Sequence, residues 1–200
     1  MYDVIIIGAG PGGLFAAYEL KEKNELLRVA LVDKGGLASK RVCPMSKTGC
    51  ACLNCKPCAI LSGFGGAGTF SDGKLNFIPK LGKSDMFKYM SQSEAYKLID
   101  DTEVIFNKFG MDAEVYPTNM DEAKEIRKEI AKQGGQLLII KQKHLGSDNL
   151  PKYIQDMTDY LIDKGVDVFP NCDVTDILKQ EDCYEVEYKK GKKTEKITGK

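Results

Sequence analysis

Hydrophobic and polar positions change rhythm several times along this chain, and each rhythm predicts a different element. Val4-Ile5-Ile6-Ile7 is an unbroken β-branched run, which reads as a parallel strand buried on both faces. A helical pattern follows, with Gly13, Ala17 and Leu20 on one face, small where a helix must touch a sheet. Val29-Ala30-Leu31-Val32 predicts a second strand that ends at Asp33. From Lys34 to about Phe70 the periodicity disappears and Gly, Cys, Ser and Lys dominate. From Ser84 to Gly135 the pattern becomes helical and charged. Ser91 or Ser93 is placed to cap a helix carrying Ala95, Leu98, Ile99, Thr102, Ile105, Phe106 and Phe109 at a 3.6-residue period, with Gly110 as its stop. A second helix starts near Asp121, is expected to bury Ala123, Ile126 and Ile130, and stops at Gly134-Gly135. Gln136-Leu137-Leu138-Ile139-Ile140 predicts a short strand. A helix from about Asn149 to Lys164 follows, capped by Ser147 or Asp148, with Pro151 in its first turn. It buries Ile154, Met157 and Leu161, ends at Gly165, and leads into a buried strand, Val166-Asp167-Val168-Phe169. The remainder alternates as a meander of three strands, 174–178, 184–188 and 194–198, with the lysine-rich 189–193 as a solvated hairpin tip.

The join between the first strand and the first helix carries the strongest chemical signal. Gly8, Gly10 and Gly13 stand at G-x-G-x-x-G spacing, with Pro11 and Gly12 inside the turn. The first glycine permits a tight turn, the second lets backbone approach a pyrophosphate, and the third lets helix pack closely on strand. Free N–H groups at the helix start, reinforced by the macrodipole, then face the phosphates. Asp33, followed by Lys34, closes the unit at the tip of the second strand, where a carboxylate accepts hydrogen bonds from a ribose 2′-OH. A carboxylate there would repel a 2′-phosphate, so FAD or NAD remains. The bland alternative is an ordinary α/β crossover without a nucleotide, which strand before, helix after and acid at the right distance argue against.

The irregular segment holds two further features. Five glycines between Gly63 and Gly73, interleaved with Phe64, Phe70 and Leu75, make a second place for close backbone approach, with amide N–H groups as anion donors. A flexible surface loop is the competing reading. Ahead of it, Cys50-x-Cys52-x2-Cys55-x2-Cys58 packs four thiols into nine residues, with Cys43 nearby. C-x2-C steps suit tetrahedral ligation of zinc or an iron–sulfur cluster. Cys55-Lys56-Pro57-Cys58 equally suits a reversible disulfide, and plain free thiols are the third reading. His144 is the single histidine, either an acid or base near a cofactor or a loop residue ahead of a helix.

Composition narrows the partners. With 29 basic and 29 acidic residues in 200 the net charge is zero, so no global field attracts nucleic acid or anionic membrane. The apolar start lacks a basic flank and is interrupted by glycines after Ile7, so neither a leader nor a membrane span is expected and the location expected is cytoplasmic. Seven cysteines, an odd number and clustered, fit a reducing compartment better than a secreted disulfide framework.

The stretches D-V-I-I-I-G-A-G-P-G-G-L-F-A-A at 3–17 and G-F-G-G-A-G-T-F-S-D-G-K-L at 63–75, with the acid closing strand two, resemble the bacterial FAD-dependent dehydrogenases of the two-dinucleotide-binding-fold flavoprotein superfamily. Pro11 within the glycine turn is more similar to the FAD members than to simple NAD dehydrogenases. The resemblance implies an α/β, Rossmann-like FAD-binding domain with a three-stranded β-meander and a mainly helical insertion. It implies that Gly65, Gly66, Gly68 and Ser71 approach flavin and pyrophosphate. An H-[LI]-G-[ST]-D stretch similar to the one at His144 also occurs in the family. In the superfamily the meander is followed by a strand ending in an A-T-G-like turn, so the chain is expected to be C-terminally incomplete, the N-terminal part of a longer flavoprotein. The expected division is 1–80 for the FAD-binding βαβ unit and second glycine segment, 81–146 for an insertion on the substrate side, and 147–200 for the return to the FAD-binding domain. The expected function is an FAD-dependent oxidoreductase acting on a small molecule, with NAD(P)H as electron donor or acceptor. The alternative is a cysteine-cluster metal or iron–sulfur module on a dinucleotide-binding scaffold. Cys43 to Cys58 lie in the region where the disulfide-reductase branch carries its redox pair, but that branch uses C-x4-C spacing, so the similarity is regional.

Overall fold

A computed structural model describes residues 1–146 and 148–200; Ser147, one of the two expected helix caps, lies outside the described residues. In chain order the elements are β1 (Val4–Ile7), α1 (Pro11–Lys23), β2 (Val29–Val32), α2 (Pro44–Thr48), β3 (Lys74–Phe77), β4 (Lys80–Leu81), β5 (Ser84–Asp85), α3 (Gln92–Lys108), β6 (Val115–Tyr116), α4 (Met120–Lys132), β7 (Lys141–His144), α5 (Leu150–Asp163), β8 (Val166–Phe169), β9 (Asp173–Lys179), β10 (Tyr184–Lys190) and β11 (Lys193–Gly199). They form two compact units, Met1–Ser71 with Leu150–Lys200, and Asp72–Asn149. No helix among the described residues is long and apolar enough to cross a membrane.

In the first unit β1, β2 and β8 form a parallel sheet in the order β1-β2-β8, with Val4 opposite Val29 and Val29 opposite Val166. Strand β2 is in the middle and every residue of it is buried. Strand β1 was expected to be buried on both faces. It stands instead at the edge of this sheet, and its last residue, Ile7, is 47% exposed. Helix α1 turns Leu14, Ala17 and Tyr18 inward, and its buried Lys21 uses its ammonium to donate to the carbonyls of Glu25 and Leu27, tying down the turn into β2. Helix α5 buries Leu150, Ile154, Met157, Thr158 and Leu161, a stripe at helical spacing. Each such aliphatic side chain contributes roughly 1.5–3 kcal/mol on leaving water. Strands β9, β10 and β11 form the antiparallel meander in the order β11-β10-β9. Val32, Cys172 and Tyr188, flanked by Ile5, Phe169, Val174 and Ile197, make a shared core for the meander and the parallel sheet.

The second unit begins at Asp72, because β3 pairs antiparallel with β7, and it closes at Asn149. It holds the helices the sequence predicts, and also a three-stranded antiparallel sheet, β3-β7-β6, and the β4-β5 hairpin. Helix α3 starts with a capping box: Ser91 Oγ accepts from the Glu94 amide and the Glu94 carboxylate accepts from the Ser91 amide. The strand expected at Gln136–Ile140 is not one. The strand lies at Lys141–His144, where β3 and β6 supply partners on both sides, whereas Leu138 is 59% exposed. Its inward side chain is Lys143, buried and paired with Glu103 at 3.1 Å and Asn107 at 2.7 Å. Helix α4 forms, with Asn119 as its cap, but it buries none of its side chains, and Ile126 is 48% exposed. The half-buried Ala123 and Ile130 give it limited packing, to which the cap and exposed i,i+3 ion pairs such as Lys124–Asp121 and Lys128–Glu125 add. The two ends of this unit meet: the Leu145 amide donates to the Gly73 carbonyl at 2.8 Å.

Candidate nucleotide site

The site grows out of the β1–α1 turn. Gly8 has φ +103, which a side chain would resist, and its amide donates to the Val32 carbonyl at 2.7 Å. Gly10 is the N-cap of α1, in extended backbone, and no side chain caps the helix. Pro11 opens the helix, where its missing N–H costs nothing. The motif glycines then divide by what surrounds them. A Cβ built on Gly13 would lie 1.9 Å from the Gly8 carbonyl oxygen and 3.4 Å from Ile6 Cγ2, so this position serves helix–strand packing. A Cβ on Gly10 or Gly12 meets nothing within 4 Å, so bare backbone at the helix start faces open space.

Asp33 is tied into the same turn. Its Oδ2 accepts from the Ala9 amide at 2.8 Å and its Oδ1 accepts from the Gly35 amide at 2.7 Å, which locks the end of β2 to the end of β1 and fixes the carboxylate. The second glycine segment packs against the first. The Gly65 amide donates to the Ala9 carbonyl at 2.8 Å, and a Cβ on Gly66 would stand 3.4 Å from both Gly10 Cα and Pro11 Cδ. A cavity of about 700 Å³ results, with Gly10, Gly66, Asp33, Lys34, Lys56 and Asp173 among its lining residues. A smaller cavity of about 240 Å³ shares Asp33, Lys34 and Asp173 and runs past Ile7, Gly8 and Val32 to Cys172 and Val174.

The sequence reading missed Arg41, the residue that organises the wall of the large cavity. It is 5% exposed. Its Nε donates to the Ala59 carbonyl at 2.9 Å, one terminal nitrogen donates to the Phe64 carbonyl at 2.7 Å and to Thr69 Oγ1 at 3.1 Å, and the other donates to the Ile60 carbonyl at 2.7 Å. Its guanidinium also lies over the Phe70 ring, 4.8 Å from the centroid. Burial pulls its pKa down, while the nearby Asp33 and Cys58 favour its charge. One planar fork thus holds the 59–70 turn against the glycine motif. The signal available in the sequence was a lone arginine in the irregular segment, 22 residues ahead of Gly63, which is weak by itself.

The remaining candidates are distributed. Cys55, Lys56, Pro57 and Cys58 line the large cavity, with Cys55 exposed and Cys58 half-buried. Cys50 and Cys52 are not among its lining residues. All seven cysteines are free, and among the described residues no three His, Cys, Asp or Glu side chains gather in a metal-binding arrangement. The four-thiol ligand set of Cys50, Cys52, Cys55 and Cys58 is therefore not assembled in this structure. Gly68 and Ser71 lie on the 3-10 turn and its cap, also outside the cavity lining. His144 belongs to the second unit, exposed at the end of β7, with Nε2 3.1 Å from the Asp72 carbonyl oxygen.

Comparison with known proteins bears on the fold and on the N-terminal segment. Residues 2–55 match the family model described as pyridine nucleotide-disulphide oxidoreductase. No curated protein sequence matches the chain. Among solved structures, an L-amino acid deaminase from Proteus vulgaris with its specific insertion sequence deleted is similar over 96% of this chain and 50% of its own, at 16% identity and a TM-score of 0.50. The structure titled AlpK is similar over 100% of this chain and 30% of its own, at 15% identity and a TM-score of 0.50. The chain thus spans half or less of the length of these two structures. Glycine turn, strand-end carboxylate, parallel sheet and family match together give this chain an α/β dinucleotide-binding fold whose N-terminal segment is similar to the pyridine nucleotide-disulphide oxidoreductases.

Proposed function

We propose that this chain binds FAD through its ADP half and belongs to an FAD-dependent oxidoreductase acting on a small molecule, with NAD(P)H as electron donor or acceptor. The observation that carries the reading is the open backbone at Gly10 beside the fixed Asp33 carboxylate within one cavity, with the open backbone of Gly12 following in the same turn. Gly10, Gly12 and Gly13 would present the α1 start to a pyrophosphate, and Lys34 and Lys56 add positive charge to the same cavity. Asp33, held by two amides, still has lone pairs for ribose hydroxyls. The smaller cavity, walled by Ile7, Val32 and Val174 next to Asp33, suits a flat base attached to that ribose. Bound FAD would supply the hydride or electron chemistry, which no side chain offers by itself. Titration of the purified chain with FAD and with ADP tests the reading. Both should bind, with ADP displacing FAD. Failure of both to bind a well-folded protein refutes it.

A further inference from the structure

The second unit carries a cavity of its own, about 380 Å³, between β3 and α3. Leu75, Phe77, Met86, Leu98, Ile99 and Phe106 give it apolar walls. That volume lies in the range of small-ligand sites, and mostly apolar walls with a few polar groups are their usual make-up. Lys74 and Asn76 also line it, so all four residues of β3 do. Successive side chains of a strand point to opposite faces, and a cavity lying over one face would touch every second residue. A cavity that touches four in a row reaches the main chain at the strand's edge.

That edge is open. Among the described residues β3 pairs with β7 and with no other strand. Lys74 stands opposite His144, so Gly73 falls opposite Leu145, and the bond from the Leu145 amide to the Gly73 carbonyl marks that pair as a hydrogen-bonded one. Bonded and non-bonded pairs alternate along an antiparallel ladder, which gives the main-chain groups of Leu75 and Phe77 to β7 and turns those of Lys74 and Asn76 outward. The Lys74 amide is taken by Asp72 Oδ1 at 3.3 Å. The Lys74 carbonyl and both main-chain groups of Asn76 have no partner among the described residues. The polar side chains around the cavity are engaged: Lys74 Nζ pairs with Asp72 at 2.8 Å, Thr102 Oγ1 donates to the Leu98 carbonyl at 2.7 Å, and Asn76 Oδ1 accepts from the Gln142 side chain. The lining therefore holds no unpaired charge, and the groups left to read a polar ligand are the donor and acceptors of the strand edge.

We propose that this cavity binds a neutral, extended peptide amide of about three residues, added antiparallel to the β3 edge and apolar at its first and third positions. The central residue of the ligand donates its N–H to the Asn76 carbonyl and accepts from the Asn76 N–H. Residues directly opposite on paired strands share a face, so the central side chain lies with that of Asn76, and the two flanking side chains turn to the face of Leu75 and Phe77 and its apolar walls. The site stands apart from the nucleotide reading, since every residue it uses belongs to the second unit.

The test uses the full chain and the tripeptide Leu-Ala-Leu, acetylated and amidated at its ends, with NMR titration for affinity and amide hydrogen exchange for the mode of binding. Saturating peptide should slow exchange of the Asn76 amide by roughly tenfold or more. The same peptide methylated on its alanine nitrogen loses the donor to the Asn76 carbonyl and should bind roughly tenfold more weakly, the value of about one hydrogen bond. Leu98 is 47% exposed, so Leu98→Glu leaves the fold intact while setting a charge against the apolar walls, and it should weaken binding by at least as much; Leu98→Met should keep the affinity. Equal binding of the parent and methylated peptides overturns the strand-edge site, as does binding that leaves Asn76 exchange unchanged or that Leu98→Glu does not weaken. Absence of binding at millimolar peptide overturns it too. A free protein that is a dimer with its Asn76 amide already protected gives the edge to a second copy of the chain and likewise overturns the peptide site.

Discussion

Substituting Gly10 and Gly13 by alanine separates ligand contact from packing within one motif. Gly10 is in extended backbone, φ −67 and ψ −178, which alanine adopts freely, and its new methyl would meet no protein atom within 4 Å. Loss of chain entropy in the unfolded state favours the variant by about 0.4–1 kcal/mol, and the poorer N-cap offsets this by a similar amount, so stability should stay near wild type. The methyl instead stands where a pyrophosphate meets bare backbone. Losing one charge-assisted N–H bond to phosphate costs about 1.5–3 kcal/mol, which is roughly a tenfold to hundredfold loss of ADP affinity. Gly13→Ala acts in the opposite way, because its methyl would press on a backbone oxygen 1.9 Å away that cannot rotate aside. Overpacking of this kind costs about 1–3 kcal/mol of stability. Urea unfolding followed by circular dichroism reads the first quantity, and calorimetric ADP titration the second. If Gly10→Ala binds ADP as tightly as wild type, the open space at Gly10 is not the phosphate site and the cavity assignment fails.

Three further outcomes are expected. Asp33→Ala removes the acceptor of the Ala9 and Gly35 amides and should lower both stability and ADP affinity, each by roughly 1–3 kcal/mol; an effect on stability alone would leave the carboxylate a turn-builder only. Arg41→Met should cost about 3 kcal/mol or more and expose the chain between Cys43 and Ser62 to limited proteolysis, and Arg41→Lys should not rescue it, since an ammonium cannot span the four acceptors; full rescue by lysine would refute the fork. Tyr188, pushed up to about 12 by burial and by its hydrogen bond to Glu195, favours the neutral phenol in the folded state. Its contribution to stability is complete below the ordinary tyrosine value of 10 and is lost as pH rises towards about 12, so Tyr188→Phe should flatten the alkaline fall in the urea midpoint. A phenolate absorbance step that is unchanged in Tyr188→Phe would contradict this.

The local pattern was legible wherever one short segment determines its own structure. The Gly8–Gly13 turn, the helix start in the Ser91–Ser93 stretch, which the structure fixes at Ser91, and the alternation of the meander all specify backbone through nearest neighbours. Errors arose where a partner distant in sequence decides the outcome. Gln136–Ile140 is the more apolar run, but β3 and β6 pair with Lys141–His144, whose inward lysine is made tolerable by Glu103 and Asn107 on α3. Val4–Ile7 has the composition of a doubly covered strand, and composition does not say which strand takes the middle of a sheet. At the site, Gly10 and Asp33 announced themselves by spacing. Arg41 did not, because three of its four acceptors are main-chain carbonyls, and no residue type marks those.

The hydrogen bond between Leu145 and Gly73 bears on how the chain reaches its native state. Strand β2 cannot find β8 until the whole of Asp72–Asn149 has been accommodated between them. For a disordered segment of that length, bringing the ends together has an entropic cost that rises with the logarithm of length and slows folding. Here the intervening unit is continuous in sequence and fastens its own two ends through β3 and β7. Once folded it takes Asp72–Asn149 out of the search, and what remains between β2 and β8 is residues 33–71 and 150–165. Chain synthesis presents the elements in the same order, since the whole of the intervening unit emerges before β8 is available to complete the parallel sheet.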